Sequence, residues 1–548
     1  MSERIPAGEL VAAFLEAAGV DTAFGVISIH NMPMLDAIGQ RNRIRFVPAR
    51  GEAGAVNMAD ANARVSGGLG VAFTSTGTGA GNACGALVEA QTAGTPLLHL
   101  TGQIETPYLD QGRGYIHETR DQLTMLRGAS KAAYRVRSIA DLTGTLREAV
   151  RVAQSPPAGP VSVEIPVDIQ EASLERPDSL APVAPVLPEP DEAALDRLAE
   201  SLASARRPML WLGGGARGAS EEARALAHLG LGAVTSIHGR GAIPEDDPMS
   251  LGAFNFQPAV EAFYDTCDAM LVVGSRLRSN ETLSYKLTLP SPLYRIDADP
   301  RADGRSFAND IFVCGDAARA MAGLAGRLDG RMNVDPGFAP DLAAARAAAE
   351  NGLRGTLGPY ERLMDDLQAA VPEDVVWVRD ITLSNSTWGN RAPRLSGPRD
   401  GVHAVGGGIG QAVAMAVGAA LAADGRKTVA LAGDGGLALS LGEVATLVQE
   451  RADVALIVMN DGGYGVIRNI QDRKFGGRRL YADIALPDLG ALAGGLGLPF
   501  RRVSDTAGMR SALDWAVSVD GPATVEIDMN AVGPFAVPFA GPPVRPRG

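Results

Sequence analysis

Two short β-branched runs, residues 428–432 and 454–459, each end in a glycine turn that carries an aspartate: Gly433-Asp434-Gly435-Gly436 after the first and Asn460-Asp461-Gly462-Gly463 after the second. Residues 440–449 between them carry apolar side chains at helical spacing. Strand, turn, helix, strand is a βαβ unit, whose crossover makes the two strands parallel. Both strands therefore end at one sheet edge, and each delivers a carboxylate there. Open α/β sheets bind ligands at that edge. Glycines let backbone amides approach a phosphate, and Asp434 and Asp461 offer the hard oxygen donors that a magnesium ion prefers. Carboxylates facing a phosphate repel it unless a cation lies between them, so the local chemistry points to a metal-bridged diphosphate.

A chain of 548 residues exceeds the size at which a single core stops growing, and three domains are expected. The net charge of −13 argues against a general nucleic-acid surface. Cys84, Cys267 and Cys314 have no metal or disulfide spacing and sit among apolar or small residues, which reads as buried, reduced thiols in a cytoplasmic protein. The first twenty residues are amphipathic, with Glu9 and Glu16 inside the pattern, and nothing in the chain reads as a membrane span or a signal peptide.

Residues 1–174 alternate strand and helix: strands over 22–26, 45–48, 70–74, 97–101 and 161–165, with a helix over 53–65 and another opened by the 77–81 loop. Five prolines in 174–192 mark a linker. Residues 192–328 alternate again, with strands over 209–212, 269–273 and 293–296; the Gly213-Gly214-Gly215 turn lacks a full dinucleotide fingerprint and reads as a plain structural turn. A connector over 329–340 leads to a third segment, 345–548, ending in a Pro- and Gly-rich stretch over 532–548 that reads as an extended tail. The fold class is thus α/β, with three doubly wound parallel-sheet domains over 1–174, 192–328 and 345–548.

A glutamate, Glu52, stands at a strand-to-helix junction of the first segment. Taken alone it is a first-turn charge in favourable contact with the helix dipole. Its company gives it a different meaning. Glu52, the run Ala61-Asn62-Ala63-Arg64-Val65-Ser66-Gly67, the loop Thr76-Gly77-Thr78-Gly79-Ala80-Gly81-Asn82 and Thr101-Gly102-Gln103 together resemble the pyrimidine-binding domain of thiamine diphosphate enzymes. Gly433-Asp434-Gly435 with Asn460-Asp461 resembles their diphosphate-binding motif, in the domain order of the acetolactate synthase, benzoylformate decarboxylase and benzaldehyde lyase group.

The resemblance implies the following roles. Glu52 hydrogen-bonds a pyrimidine ring nitrogen of thiamine diphosphate and so promotes formation of the thiazolium ylid, the cofactor serving as electron sink through an enamine. Mg2+ is held by Asp434, Asp461 and the carbonyl of Gly463, with Asp461 standing where many relatives have asparagine. Gly433, Gly435, Gly436 and Tyr464 belong to the same cofactor-binding stretch. Within His403-Ala404-Val405-Gly406-Gly407-Gly408-Ile409-Gly410, Gly407 accepts from the exocyclic amine and Ile409 is the apolar wedge beneath the bent cofactor; Thr382 matches a diphosphate contact. His30 follows a strand where benzaldehyde lyase and guanidino-oxopentanoate decarboxylase relatives carry a histidine, and His117 lies where others place a polar active-site residue. Either imidazole can shuttle a proton near neutral pH. Ile29, His30, His117, Val466, Ile467 and Ile470 are the expected substrate pocket. His99, His228, His238 and His403 receive no catalytic role. After Gly274 this chain reads Ser275-Arg276-Leu277-Arg278-Ser279-Asn280, where acetolactate synthases continue with an acidic, flavin-associated sequence, and this speaks against FAD.

Relatives divide the site between subunits, which implies a homodimer at minimum and a homotetramer as the common form. The leading reading is non-oxidative decarboxylation of a 2-oxo acid with release of an aldehyde. The alternative is a carboligase or lyase of the acetolactate synthase or benzaldehyde lyase kind, making or breaking 2-hydroxyketones. A third is a cofactor-binding relative without catalysis, against which Glu52 and both metal carboxylates speak.

Overall fold

The computed structural model describes residues 4–542. It contains three parallel sheets flanked by helices. In the first, six strands lie in the spatial order Arg45–Pro48, Thr22–Gly25, Gly70–Thr74, Leu97–Gln103, Pro160–Pro166, Ala132–Arg135. The middle sheet has five, in the order Gly232–Thr235, Pro208–Leu212, Ala269–Val273, Leu293–Asp297, Ile311–Cys314. The last has six, in the order Gly401–His403, Val376–Arg379, Thr428–Gly433, Val454–Asn460, Ala523–Asp528, Phe500–Val503. Central strands such as Gly70–Thr74 and Ala269–Val273 are buried along their whole length, as strands covered by helices on both faces must be.

The two six-stranded sheets share one topology. In each, the chain runs outward to one edge, crosses back, and continues to the other, so the order reverses between the first strand and the third. That reversal falls between Thr22–Gly25 and Gly70–Thr74 in one sheet and between Val376–Arg379 and Thr428–Gly433 in the other. Crevices for ligands open beyond the carboxyl ends of strands at such a point. The residues there are Val26 to His30 and Ser75 to Gly81 in the first sheet, and Asp380 to Thr382 and Asp434 to Gly436 in the last.

The chain forms two compact units. One comprises Met1–Val186, Ala404–Thr428 and Leu437–Val454; the other comprises Leu187–His403, Val429–Gly436 and Ala455–Gly548. Within the first, Phe14, Phe73, Leu98 and Val163 belong to one apolar core. Within the second, a continuous core runs from Trp211 and Val272 of the middle sheet through Phe338 and Tyr360 to Trp377, Ile457 and Val525 of the last. That core explains why the middle and last sheets fall in one unit.

Several expectations need correction. The linker expected to begin at 174 starts as a strand, Ser173–Glu175, paired antiparallel with Arg4–Pro6. The connector expected to reach residue 340 gives way at 338 to the helix Phe338–Arg354. The three cysteines are free, as expected, but half-buried rather than buried. The tail leaves the short helix Met529–Val532 and lies along the helix Gly465–Phe475, where Asn469 Nδ2 donates to the Phe539 carbonyl at 3.0 Å and Arg473 to that of Ala540 at 2.6 Å. Its final residues, 543–548, lie outside the described residues. No helix of the described residues is long and apolar enough to cross a membrane.

Candidate functional site

Glu52 is the first residue of the helix Glu52–Ser66 and is half-buried. Its Oε2 accepts a hydrogen bond from Asn82 Nδ2 at 3.1 Å. A Cβ placed on Gly79 would lie 2.9 Å from its Oε1. The first turn of the helix Thr78–Ala93 is therefore the wall against which the carboxylate rests, and Gly79 keeps that wall low enough for it. The turn before the helix is held from elsewhere in the same unit, because buried Glu443 accepts from the Arg50 backbone N–H at 3.1 Å.

His30 and His117 come together in that unit, their ring centroids 5.1 Å apart. His30 is 2% exposed, and its Nδ1 is buried without a hydrogen-bond partner among the described residues. Its backbone is fixed on both sides: Ser28 N–H donates to Asn31 Oδ1, and Gln170 Nε2 donates to the His30 carbonyl at 2.7 Å. Burial, and secondarily the neighbouring His117, push the His30 imidazole below its ordinary pKa. His117 sits at φ 66, in the left-handed region, with Nδ1 3.3 Å from Ser75 Oγ. Gly77, at φ 63, passes so close that a Cβ there would lie 2.1 Å from the His117 carbonyl oxygen. Ile29, beside His30, is 55% exposed. His99 contrasts with this pair: fully buried between Thr74 Oγ1 and Ser162 Oγ, with its pKa pushed down to about 3 by burial, it is a satisfied core residue.

The loop with Gly407 and Ile409 also belongs to this unit. Gly407 and Gly410 have φ of 88 and 83, and Ile409 is 39% exposed at the end of a glycine run. The buried carboxylate of Glu89 accepts from the backbone N–H groups of Val405 at 2.5 Å and Gly406 at 2.7 Å.

In the other unit, Asp434 and Asp461 stand at the ends of adjacent strands, as the βαβ reading required. The Asp461 N–H donates to Asp434 Oδ1 at 3.3 Å, while Asp434 Oδ2 is buried with no hydrogen-bond partner among the described residues. Burial and the Asp461 charge push Asp434 up to about 6. Burial also raises Asp461, against the opposing pull of Arg468. The Gly463 carbonyl oxygen lies against the same turn, since a Cβ on Gly435 would meet it at 2.8 Å and the Tyr464 ring at 2.8 Å. Gly463 itself has φ 149, and Tyr464 N–H donates to the Ala482 carbonyl at 2.8 Å, which fixes the turn. Thr382 is buried beside Gly433 and accepts from Asn385 N–H through Oγ1 at 2.9 Å.

Two crowded carboxylates, one with an orphaned buried oxygen, and a neighbouring backbone carbonyl form an oxygen donor set that suits a hard divalent cation. Among the described residues no cluster of three His, Cys, Asp or Glu side chains exists that could hold a metal, so a third protein ligand here would be a main-chain carbonyl or an uncharged side-chain oxygen.

The sequence reading missed Arg468. Its Nη2 lies 2.8 Å from Asp461 Oδ1 and donates to the Asp461 carbonyl at 2.6 Å, and its Nη1 lies 3.0 Å from Asp483 Oδ1. The carboxylate added by Asp461 thus arrives with its own counter-charge. The spacing from 461 to 468 was available as a signal, because a turn followed by a helix returns that side chain over the strand end. Asp461 and Arg468 line a cavity of about 300 Å³ with Asn469, Arg479, Leu383 and Phe535. Val466 and Ile470 are half-buried on the helix Gly465–Phe475, and Ile467 is 45% exposed. Glycines 213–215 of the middle sheet pack tightly: Cβ atoms on Gly213 and Gly214 would meet Gly274 O at 2.2 Å and the His238 ring at 2.1 Å. That turn is closely packed.

Comparison with known proteins gives three matches along the chain. Residues 5–125 match the N-terminal TPP binding domain of thiamine pyrophosphate enzymes, 195–324 the central domain and 383–527 the C-terminal TPP binding domain. A probable 2-ketoarginine decarboxylase of Pseudomonas aeruginosa is 33% identical over 85% of this chain and 84% of its own length. A probable chloroplastic acetolactate synthase 2 of Oryza sativa is 28% identical over 95% of this chain and 82% of its own. The large subunit of acetolactate synthase isozyme 1 of Escherichia coli is 26% identical over 96% and 95%. With all three of its domains matched in order and a relative at this identity along most of its length, the chain belongs to the thiamine pyrophosphate enzyme family.

Proposed function

We propose that the protein is a non-oxidative 2-oxo acid decarboxylase that releases an aldehyde. The observation that carries this reading is the His30–His117 pair: two imidazoles 5.1 Å apart, one of them buried with a free ring nitrogen. Decarboxylation leaves an electron pair on carbon that must be protonated before an aldehyde can depart, and a buried imidazole held below its ordinary pKa beside a second imidazole is suited to hold and move that proton. The relative named as a 2-ketoarginine decarboxylase supports the same direction.

Thiamine diphosphate, when bound, supplies the electron sink for the departing carboxylate. Glu52, whose Oε2 accepts from Asn82, would present its carboxyl to a ring nitrogen of the pyrimidine. Asp434, Asp461 and the Gly463 carbonyl would hold Mg2+ against the diphosphate, with Thr382, Gly433, Gly435, Gly436 and Tyr464 lining that end. Gly407 would take the exocyclic amine and Ile409 would support the cofactor from beneath. By the family resemblance, Ile29, Val466, Ile467 and Ile470 would offer apolar surface to the substrate's side chain. The family resemblance that divides the site between subunits makes a homodimer the minimum functional unit.

Carboligation is the second reading, favoured by acetolactate synthase relatives that match nearly the whole chain. The two separate in one experiment. The purified protein with thiamine diphosphate and Mg2+ is offered a panel of 2-oxo acids, apolar and guanidinium-bearing, with and without an acceptor aldehyde. Aldehyde as the product supports decarboxylation; hydroxyketone as the main product transfers the assignment to carboligation.

A further inference from the structure

The two six-stranded sheets place equivalent elements at equivalent points. Before the third strand of each comes a helix, Glu52–Ser66 in one and Ala412–Leu421 in the other. These helices pack backbone to backbone: a Cβ on Gly418 would lie 2.0 Å from the Met58 carbonyl oxygen, and Asn62 Nδ2 donates to the Gly418 carbonyl at 3.4 Å. The loop leading into each helix is held by a buried glutamate on a helix that follows the opposite sheet's third strand. Glu443 holds the Arg50 amide, just before Glu52, and Glu89 holds the amides of Val405 and Gly406, just before Gly407.

Glu89 is 2% exposed, a costly place for a carboxylate. Its neighbour Asp60 takes Arg64 through Nε at 2.9 Å and Nη2 at 2.5 Å, while Arg64 Nη2 is 3.5 Å from Glu89. Glu89 is thus held by the two backbone amides and, at longer range, by the Arg64 guanidinium. Beyond them the chain runs through Gly407 and Gly408 to Ile409, and a glycine run with φ values of 88 and 83 holds one shape only if something fixes its base. An apolar side chain at position 89 would take the Glu89 acceptor away from both amides.

We propose that Glu89 is a positioning residue for the cofactor: it clamps the base of the 405–410 loop so that Gly407 and Ile409 meet the aminopyrimidine in a fixed geometry. This rests on the reading that the loop contacts the pyrimidine. Glu89 itself touches neither cofactor nor substrate.

The test compares Glu89→Ala, Glu89→Gln and Ile409→Ala in the full-length protein. Cofactor affinity is measured by fluorescence titration with thiamine diphosphate at fixed Mg2+, and kcat and KM are measured at saturating cofactor. Glu89→Ala is expected to weaken thiamine diphosphate binding about tenfold, the loss of two charge-assisted hydrogen bonds at the loop base. It should lower kcat as well, while substrate KM stays within about twofold, since only groups meeting the cofactor have moved. Glu89→Gln, which keeps shape and one acceptor, should recover part of both. Ile409→Ala should lose in the same two quantities. If Ile409→Ala loses and Glu89→Ala does not, the positioning role is overturned while the loop's cofactor contact stands. If both variants bind and turn over as wild type does, the loop reading fails and takes the proposal with it. Should Glu89→Ala fold poorly, Glu89→Gln carries the comparison alone: wild-type cofactor affinity and kcat in that variant overturn the role.

Discussion

Arg468 makes a prediction about the charge of the metal site that can be worked from the coordinates. Asp434 and Asp461 bring two negative charges, and Arg468, 2.8 Å from Asp461 Oδ1, returns one positive charge, leaving a net of about one negative. Replacing Arg468 with glutamine restores the second negative charge without removing a donor oxygen. A unit charge ~6 Å from a divalent ion, at an effective dielectric of ~40, changes its binding by about 3 kcal/mol, and salt screening brings this to about 2 kcal/mol, or roughly thirtyfold. Arg468→Gln should therefore bind the metal roughly thirtyfold more tightly. Asp461→Asn, which strands the guanidinium, should bind it more weakly by a similar factor. The double variant returns to the wild-type net charge and should bind within about threefold of wild type. Mn2+ titration of cofactor-free protein, followed by electron paramagnetic resonance, reads the metal alone, so effects on the diphosphate do not intrude. Weaker binding by Arg468→Gln would refute the reasoning, because it would mean that the guanidinium holds Asp461 in a ligating pose more than it competes with the cation.

Three further outcomes follow from the same geometry. Glu52→Gln, tested with cofactor bound, should lose about a hundredfold or more in kcat, the usual weight of a proton-handling group; near-wild-type turnover would remove Glu52 from that role. His30 gives a pH signature. Its imidazole is held below the ordinary value, so the unfolded chain takes up a proton that the folded chain refuses. The stability gained by burying the neutral ring is present above a pH of about 6.5 and is lost as pH falls from there toward the lowered value. Wild type should therefore lose its advantage over His30→Gln in thermal unfolding as pH is lowered through that window, and a constant difference would count against it. His117→Ala should slow aldehyde release by about a hundredfold and raise the hydroxyketone fraction when an acceptor aldehyde is present, whereas an unchanged product ratio would leave His117 outside the chemistry.

What the amino-acid sequence exposed was the part of the molecule whose causes are local. Arg45–Pro48, Gly70–Thr74 and Ala269–Val273 occupy the residues expected of them, since each is a short β-branched or apolar run with a turn beyond it. The strands Ala132–Arg135 and Phe500–Val503 escaped notice because they are sheet edges, half-buried or exposed for much of their length, and carry no sustained apolar pattern. The same division runs through the site. Asp434 and Asp461 were legible from their own turns, and the resemblance brought in Glu52, His30 and His117. Asn82, Glu443 and Glu89 were not, because each acts on a residue far along the chain and nothing in a buried helical glutamate announces which amides it will meet. Asp461 illustrates both halves. Its departure from the commoner asparagine was evident from the resemblance, while the guanidinium that answers its charge became apparent only once Gly465–Phe475 was seen to carry Arg468 back over the strand end.

The central claim concerns what leaves the site. Carbon dioxide, free aldehyde and hydroxyketone can be quantified together for the purified protein turning over its best 2-oxo acid with thiamine diphosphate and Mg2+. The account predicts one aldehyde for each carbon dioxide, with hydroxyketone a minor product even when an acceptor aldehyde is added. Carbon dioxide matched instead by hydroxyketone, in the absence of free aldehyde, would contradict it.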